Sequence, residues 1–220
     1  MEEEVQTRKG GRAARRAKRL NAPIIHHPPL MANVPVYEVA NAEGVEQIHE
    51  TAMRIVEEIG VEFRETQAID IWKQTDAEVD GERVRISRDA LLELVAKAPS
   101  EYIHHGRNAE RTVKVGGKSM VVSPSYGPAY IYDLEGVRRP ATVEDLNNLQ
   151  KLNHMASTVH IAGGPVVEPM DIPVPHRHLH MAYSGFKFSD KPIVGNVTST
   201  ERAQDTIDMC KIVFGDDFAQ

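Results

Sequence analysis

Three short segments of the sequence, at 124–128, 163–168 and 195–198, carry or precede residues that could bind a small ligand. The candidate contact residues are Tyr126, Tyr130, Gly163, Gly164, Glu168, Asn196 and Thr198. The glycines and prolines of these segments would let the backbone approach a ligand closely, while tyrosine, glutamate and asparagine side chains offer directional polar contacts. Each segment alone is more often only a tight turn. Three of them in series, each after a short apolar stretch, favour a binding site.

Other residue types in the sequence give weaker signals for chemistry. His176 and His180 are four residues apart on a predicted helix and could share one face, as paired zinc ligands do. His178 points elsewhere, and no glutamate follows His176 as it does on the metalloprotease helix, so we expect no metal site. The sequence contains no Gly-x-Ser-x-Gly elbow, and we expect Cys210 to be a small core residue. These patterns leave the catalytic residues unassigned.

The elements that would position the three segments alternate between strand and helix. Stretches typical of strands and of helices follow one another in the order 120–122, 142–155, 159–162, 174–187, 193–197 and 201–214. Such alternation is typical of a parallel α/β sheet. The sequence has no Gly-x-Gly-x-x-Gly motif after a strand and no Gly-x-x-x-x-Gly-Lys-Ser/Thr motif, so a nucleotide-binding doubly wound sheet is not supported. We therefore predict that residues 119–220 form about three βα units of a (β/α)8 TIM barrel, where ligands bind at the carboxyl ends of the strands.

The residues before this region form two further parts of the prediction. Residues 36–118 are interpreted as a small α/β subdomain, from helical patterns at 43–60, 66–74 and 88–98 and strand patterns at 83–86 and 113–117. Within it, Gly60 is a natural helix stop and Ser87 a natural helix cap. Residues 1–35 are interpreted as a basic, proline-containing arm, which either binds a nucleic acid or acidic partner or folds back on the acidic body. We favour the second interpretation.

Composition limits the protein class. The net charge of −6 argues against a dedicated nucleic-acid binder, and 41% hydrophobic with 26% charged residues is normal for a globular protein. The single cysteine suits a reducing compartment. The first residues do not resemble a secretory signal, and no apolar run reaches the roughly 18 residues of a membrane span. We therefore expect a cytoplasmic protein without a membrane segment.

The sequence around the three segments resembles the trimethylamine methyltransferase family. The most specific blocks are GGPVVEP at 163–169, SDKP at 189–192 and the stretch 207–215, with further similarity at 11–19, 34–37, 43–64, 80–84 and 127–142. The similarity extends over nearly the whole chain, and its spacing is hard to produce by chance.

This resemblance implies an enzyme that moves a methyl group from a methylated or quaternary amine, such as trimethylamine or glycine betaine, to Co(I). The corrinoid is then carried by a separate corrinoid-binding partner protein, and the chain itself binds no cofactor directly. Tyr126 and Tyr130 would hold the ammonium group through cation–π contacts of about 0.5–2 kcal/mol each. Glu168 is the nearest carboxylate, and Asn196, Thr198 or backbone amides would bind a substrate carboxylate.

The resemblance also implies that this chain is the N-terminal part of such an enzyme. Members of the family are longer, form homo-oligomers in the full-length state, and need all eight βα units to complete a barrel. We therefore expect the 220-residue chain to be inactive by itself. The alternative interpretation is a non-catalytic binding or assembly fragment that docks a corrinoid protein or a sister subunit.

Overall fold

The structure is a computed structural model that describes residues 11–21, 25–35 and 37–216, and the chain divides into two compact units. The smaller unit is Asn33–Tyr102, and the larger unit takes the residues before and after it. The three-part division at 1–35, 36–118 and 119–220 stays a prediction. The helices are α1 Arg12–Leu20, α2 Ala42–Arg54, α3 Thr66–Trp72, α4 Arg88–Ala96, α5 Val143–Met155, α6 Val174–Phe188 and α7 Thr200–Phe214. The strands are β1 Leu30–Met31, β2 Val61–Glu62, β3 Glu78–Asp80, β4 Arg83–Arg85, β5 Glu101–His104, β6 Val113–Gly116, β7 Ser119–Met120, β8 Tyr130–Tyr132 and β9 Arg138–Pro140.

Local signals determine where helix α2 begins and ends in the smaller unit. The Asn41 side chain accepts a hydrogen bond from the Gly44 backbone N–H at 2.8 Å, which caps the helix. The helix continues as a π-helical turn, Ile55–Ile59, and ends at Gly60 with φ +79°. A Cβ atom at Gly60 would lie 2.6 Å from the Val84 carbonyl oxygen, so the position requires glycine. The predicted helix and its glycine stop are confirmed.

The smaller unit also contains an antiparallel sheet with the order β2-β4-β3. Val84 of the central strand is fully buried and lies opposite Val61 and Val79 on the two outer strands. Ser87 then caps α4, because its hydroxyl oxygen accepts from the Ala90 N–H. The predicted strand at 83–86 and the predicted Ser87 cap are both confirmed, within a residue or two at their ends.

The larger unit contains a four-stranded sheet with the order β1-β7-β6-β5, in which Ile103 and His104 are the β5 residues of this unit. Strand β7 pairs antiparallel with both β1 and β6. Strands β8 and β9 form a separate antiparallel hairpin. Helix α1 belongs to the predicted basic arm and is exposed along its whole length, whereas residues 1–10 of that arm lie outside the described residues.

Helices α5, α6 and α7 confirm the three helices predicted for the larger unit. Helix α5 begins with a capping box, in which Thr142 accepts from the Asp145 N–H and the Asp145 carboxylate accepts from the Thr142 N–H at 2.9 Å. Helix α6 contacts both α5 and α7, and the rings of Phe186 and Phe214 meet edge to face with their centroids 6.1 Å apart. The helices therefore follow the order of the sequence pattern.

The structure corrects the prediction of strands before and between these helices. Within the described residues, 159–162 and 193–197 do not form regular strands, and at 120–122 only Met120 does, as part of the antiparallel β7. Two features interrupt a regular ladder: Pro192 has no N–H to donate, and Gly163 turns the chain with φ +87°. The prediction of three regular parallel strands is therefore wrong.

The same segments nevertheless lie next to one another in the predicted order. The Val122 carbonyl oxygen accepts from the His160 N–H at 2.9 Å, and the Ala162 N–H donates to the Pro192 oxygen at 2.8 Å. A single parallel bridge joins Gly163 to Ile193. What the structure contains is a mixed α/β fold, in which the strand pairs β1–β7, β6–β7, β2–β4, β3–β4 and β8–β9 are antiparallel.

A small core fixes the middle segment against the helices. Its buried members are Ala141, Leu146, Val166, Val167 and Met181. Leu146 of α5 is fully buried, and burial of such a side chain stabilises a fold by about 1.5–3 kcal/mol. Because two consecutive valines of the 163–168 segment belong to this core, the segment is anchored between α5 and α6.

Candidate functional site

The first two predicted segments meet at Gly163. A Cβ atom at this glycine would lie 2.7 Å from Cγ of Pro124 and 3.0 Å from Cε1 of Tyr126. The Tyr126 ring therefore lies directly against the backbone of Gly163. Its hydroxyl group is hydrogen-bonded to Ser123 Oγ, and 45% of the residue remains exposed. An aromatic face is thus held at a fixed place beside a glycine-rich turn.

Two backbone hydrogen bonds join the same segments further along. The Gly127 N–H donates to the Pro165 oxygen at 2.8 Å, and the Glu168 N–H donates to the Pro128 oxygen at 3.0 Å. The chain from Tyr126 to Pro128 therefore runs beside the chain from Gly163 to Glu168. The structure brings these two predicted segments together.

The third segment approaches the second only through Val194, the residue that precedes it. The Val194 N–H donates to the Gly163 oxygen at 3.2 Å, and the Val194 oxygen lies 3.1 Å from where a Cβ of Gly164 would be. Asn196 is half-buried, and its Nδ2 lies 3.9 Å from Met181 Sδ. Thr198 is exposed, and its hydroxyl oxygen accepts from Arg202 at 2.7 Å. The polar contacts of Asn196 and Thr198 are therefore made with α6 and α7.

The Glu168 carboxylate already has a cationic partner. Its Oε1 accepts from Arg177 Nη1 at 3.1 Å, and Arg177 also donates through Nε to the Ile172 oxygen at 2.7 Å. The Arg177 side chain is only 13% exposed, whereas that of Glu168 is 39% exposed. The ion pair reduces the negative charge that Glu168 offers to a cationic ligand.

Tyr130 likewise has a cation on one face. The Arg138 guanidinium carbon lies 3.8 Å from the centroid of the Tyr130 ring, across the β8–β9 hairpin. The residue is 44% exposed. One face of the Tyr130 ring is therefore already in contact with a protein cation, and the role of Tyr130 toward a substrate stays a prediction.

Gln150 contacts one of the candidate residues and was missed by sequence reasoning. It is fully buried on α5, and its Nε2 donates to the Gly164 carbonyl oxygen at 3.3 Å. Its Oε1 has no hydrogen-bond partner among the described residues. The available signal was its spacing, four residues after Leu146 on the buried face of the helix. Through this hydrogen bond, the buried Gln150 side chain holds the backbone of the Gly163–Gly164 turn in place.

The electrostatics around α5 favour a rigid support for the site. A bidentate ion pair joins Arg139 to Asp145, with nitrogen–oxygen distances of 2.7 and 2.9 Å. The Arg139 hydrogen bonds, followed by those from Thr142, hold the pKa of the Asp145 carboxyl far below its usual range. The carboxylate therefore stays ionised and keeps the helix start in place.

The structure gives the three histidines of α6 different surroundings. His178 is buried, and its Nε2 lies 2.8 Å from Oδ2 of Asp205 on α7, so this pair joins two helices. His176 and His180 are exposed. Within the part of the chain that the structure describes, no group of three or more His, Cys, Asp or Glu side chains is placed to hold a metal ion.

Burial raises the pKa of the half-buried Cys210 thiol. Among the described helices, none is long and apolar enough to cross a membrane.

Known proteins are similar to this chain over most of its length. The chain is 39% identical over 182 residues to a glycine betaine methyltransferase of Desulfitobacterium hafniense (strain Y51), covering 83% of this chain and 38% of that protein. It is 25% identical to a proline betaine:corrinoid methyltransferase of Eubacterium limosum, covering 73% of this chain and 33% of that protein. It is 26% identical to an L-carnitine:corrinoid methyltransferase of the same organism, covering 72% and 32%.

The chain thus spans between 32% and 38% of the length of these three relatives. The model of the family described as trimethylamine methyltransferase (MTTB) matches it from residue 8 to residue 220. The match includes the segments around Tyr126, Gly163 and Asn196. The resemblance read from the sequence is confirmed, and the chain belongs to the trimethylamine methyltransferase family.

Proposed function

We propose that the chain forms part of an enzyme that moves a methyl group from a quaternary amine to the Co(I) of a corrinoid carried by a partner protein. Family membership supports this proposal, and so do the names of the relatives, two of which specify a corrinoid as acceptor. Glycine betaine, proline betaine and carnitine are all quaternary ammonium compounds that carry a carboxylate. We therefore favour such a compound over trimethylamine as the substrate.

The observation that carries the proposal is the position of Tyr126 against Gly163. A quaternary ammonium group has no proton to donate, so aromatic faces and carboxylates are its natural partners. The ring of Tyr126 is fixed by Gly163 on one side and remains partly exposed, which leaves surface for a cation. Tyr130 and Glu168 lie on the neighbouring backbone, and we include both in the site.

The opposite end of the substrate requires a different environment. A betaine carboxylate needs hydrogen-bond donors, and we assign this role to Asn196, Thr198 and the backbone around Gly164. Each glycine in this turn lets the backbone approach the ligand closely. Gln150 acts as a positioning residue, because its side chain donates a hydrogen bond to the Gly164 carbonyl oxygen.

The reaction makes modest chemical demands on the protein. Co(I) supplies the electron pair for the new bond to the methyl carbon, and the C–N bond breaks with its electron pair remaining on nitrogen. The quaternary ammonium thereby becomes a neutral tertiary amine, and no proton has to move. The protein must hold the methyl carbon in line with the cobalt and exclude water, which is positioning rather than nucleophilic catalysis.

The wider architecture belongs to the same proposal. The neighbouring order of Val122, residues 160–163 and residues 192–194 supports a role as the first βα units of a (β/α)8 barrel. We also propose a homo-oligomeric enzyme in the cytoplasm that docks a separate corrinoid protein and binds no cofactor of its own.

An anaerobic methyl-transfer assay tests the activity. The purified chain is incubated with reduced corrinoid protein and with glycine betaine, carnitine or trimethylamine, and methylation of cobalt is followed by its absorbance. Binding of the amine is measured separately by calorimetry. Because the chain by itself is expected to be inactive, saturable binding of a quaternary amine is the result that supports the proposal, and turnover would show in addition that the chain alone suffices. If none of the three compounds binds, the proposal is refuted.

Substitutions at Tyr126 connect the assay to the site. Tyr126→Ala should weaken binding of the quaternary amine about tenfold, whereas Tyr126→Phe retains the aromatic face and should lose much less. Tyr132→Ala is the matched control, because Tyr132 is 72% exposed on the nearby β8. If the corrinoid protein binds but no amine binds, the chain is instead the non-catalytic docking fragment.

A further inference from the structure

A cavity with a volume of about 210 Å3 lies in the larger unit, apart from the candidate methyl-transfer residues. Its walls come from residues 26–29 and 110–113, together with Val159, His160 and Lys191. None of the candidate residues of the methyl-transfer site lines it. A volume of this size would hold several water molecules, each of which occupies about 30 Å3 in the liquid. The cavity is therefore large enough for a small ion with its hydrogen bonds.

His160, on the wall of this cavity, carries a buried proton donor without an acceptor among the described residues. The residue is only 9% exposed, and its Nδ1 accepts a hydrogen bond from the Val122 N–H at 2.9 Å. Because Nδ1 is an acceptor, the neutral ring carries its proton on Nε2. The buried Nε2 has no hydrogen-bond partner among the described residues. A buried donor without an acceptor costs about 1–3 kcal/mol, so the site favours a ligand that can accept.

His26 contributes a second nitrogen to the same wall. Its Nε2 is buried and has no partner within the described residues. Burial, followed by the charges of Arg111 and Lys191, lowers the pKa of His26, with Asp190 acting in the opposite direction and His154 adding to the lowering. The ring is therefore neutral near pH 7 and offers either a donor or an acceptor.

The charges around the cavity favour an anion. Lys191 is 2% exposed, and its Nζ donates to the backbone oxygens of Asn153 and Ala156 at 2.6 and 2.9 Å. Its third N–H has no acceptor recorded among the described residues. Burial, followed by the charge of Arg111, lowers the pKa of Lys191 to about 8. Both effects penalise an ammonium group that has too little negative charge nearby.

The carboxylates near the cavity are already engaged or exposed. Asp190 accepts a hydrogen bond from Arg111, and the same arginine donates to Nδ1 of His154 at 3.0 Å. Glu110 is on the cavity wall but is exposed to water. A metal ion fits poorly, since the protonated Nε2 of His160 cannot ligate it and two cationic side chains lie close by.

We propose that this cavity binds a small oxyanion of the size of phosphate or sulfate, held by His160 Nε2–H, His26 and the Lys191 ammonium group. An oxyanion accepts several hydrogen bonds at once and supplies the negative charge that Lys191 lacks. The site is distinct from the methyl-transfer site, and the inference does not depend on the proposed function.

Titration of the purified chain with inorganic phosphate and with sulfate, at constant ionic strength set by chloride, tests the proposal. Saturable binding is expected by calorimetry, together with a shift of the His160 Nε2–H resonance in nitrogen-detected NMR. His160→Ala should weaken phosphate binding by about tenfold, whereas the exposed His176→Ala should leave it unchanged.

Two results would overturn the proposal. The first is a phosphate response equal to that of chloride, which would mean that the cavity holds water or an adventitious ion only. The second is an unchanged phosphate affinity in His160→Ala. If that variant does not fold, by circular dichroism, His26→Ala decides in its place, because His26 is only half-buried. Unchanged affinity in His26→Ala would then remove the site.

Discussion

The carbonyl oxygen of Gly164 accepts its hydrogen bond from the side chain of Gln150, a residue with no exposed surface, at 3.3 Å. The other polar atom of the same amide, Oε1, has no partner among the described residues. A buried amide with one of its two polar atoms unpaired is a costly way to fill a core position. Its presence indicates that the orientation of the Gly164 carbonyl matters to the turn.

Substitution of Gln150 separates packing from hydrogen bonding. In Gln150→Leu the Gly164 oxygen loses its donor, but the unpaired Oε1 disappears as well, so we expect stability to change by less than about 1 kcal/mol. Gln150→Ala also opens a cavity and should cost about 2–4 kcal/mol. Urea unfolding measures both. A leucine variant as unstable as the alanine variant would show that the hydrogen bond, and not the volume, dominates.

Gly163 should not tolerate a side chain. Its φ of +87° is unfavourable for alanine by about 1–2 kcal/mol, and the added Cβ would lie 2.7 Å from Pro124. Gly136→Ala is the matched control, since Gly136 has φ +78° but an added Cβ there would meet no atom within 4 Å. We expect Gly163→Ala to lower the unfolding free energy more than Gly136→Ala, and to weaken amine binding as well. Equal losses in the two variants would mean that the close contact with Pro124 and Tyr126 is relieved without cost.

The capping box of α5 makes stability depend on acid. The folded-state pKa of Asp145 lies below its unfolded value of 3.8, so its contribution is present above about pH 4 and is lost as the pH falls further. In Asp145→Asn, the unfolding free energy should therefore fall less steeply below about pH 4 than in the wild type. Asp70→Asn, on the exposed surface of α3, should not change this pH dependence. Thr142→Ala removes the cap itself and should cost about 1 kcal/mol at neutral pH. Identical acid limbs in the wild type and Asp145→Asn would contradict the assignment.

Removal of Arg177 should change the charge of the proposed site. In Arg177→Gln the Glu168 carboxylate loses its ion-pair partner and presents a full negative charge. If Glu168 faces the ammonium group, tetramethylammonium should bind several-fold tighter to this variant and more weakly to Glu168→Gln. Calorimetric titration measures both affinities, and tetramethylammonium is used because it has no carboxylate. Equal affinities in the wild type and both variants would place Glu168 outside the cation site.

The sequence by itself determined the helices from α2 to α7 and the family. The Thr142–Asp145 capping box, the Ser87 cap and the stop at Gly60 are local signals, and helical hydrogen bonds join residues only four positions apart. For the same reason, α5, α6 and α7 could be predicted almost to the residue, whereas α1, in the basic arm, was not predicted. The residue types at Tyr126 and Gly163 also sufficed to mark two segments that the structure brings together.

Only the tertiary structure decided how the intervening segments pair and which partners their side chains have. Pairing between residues 122, 160–163 and 192–194 joins distant parts of the chain, and Pro192 and the turn at Gly163 restrict it to a few hydrogen bonds. The Glu168–Arg177 ion pair, the buried Gln150 and the donor on His160 likewise depend on three-dimensional neighbours. No local pattern encodes them, because burial and hydrogen-bond partners follow from packing rather than from sequence spacing.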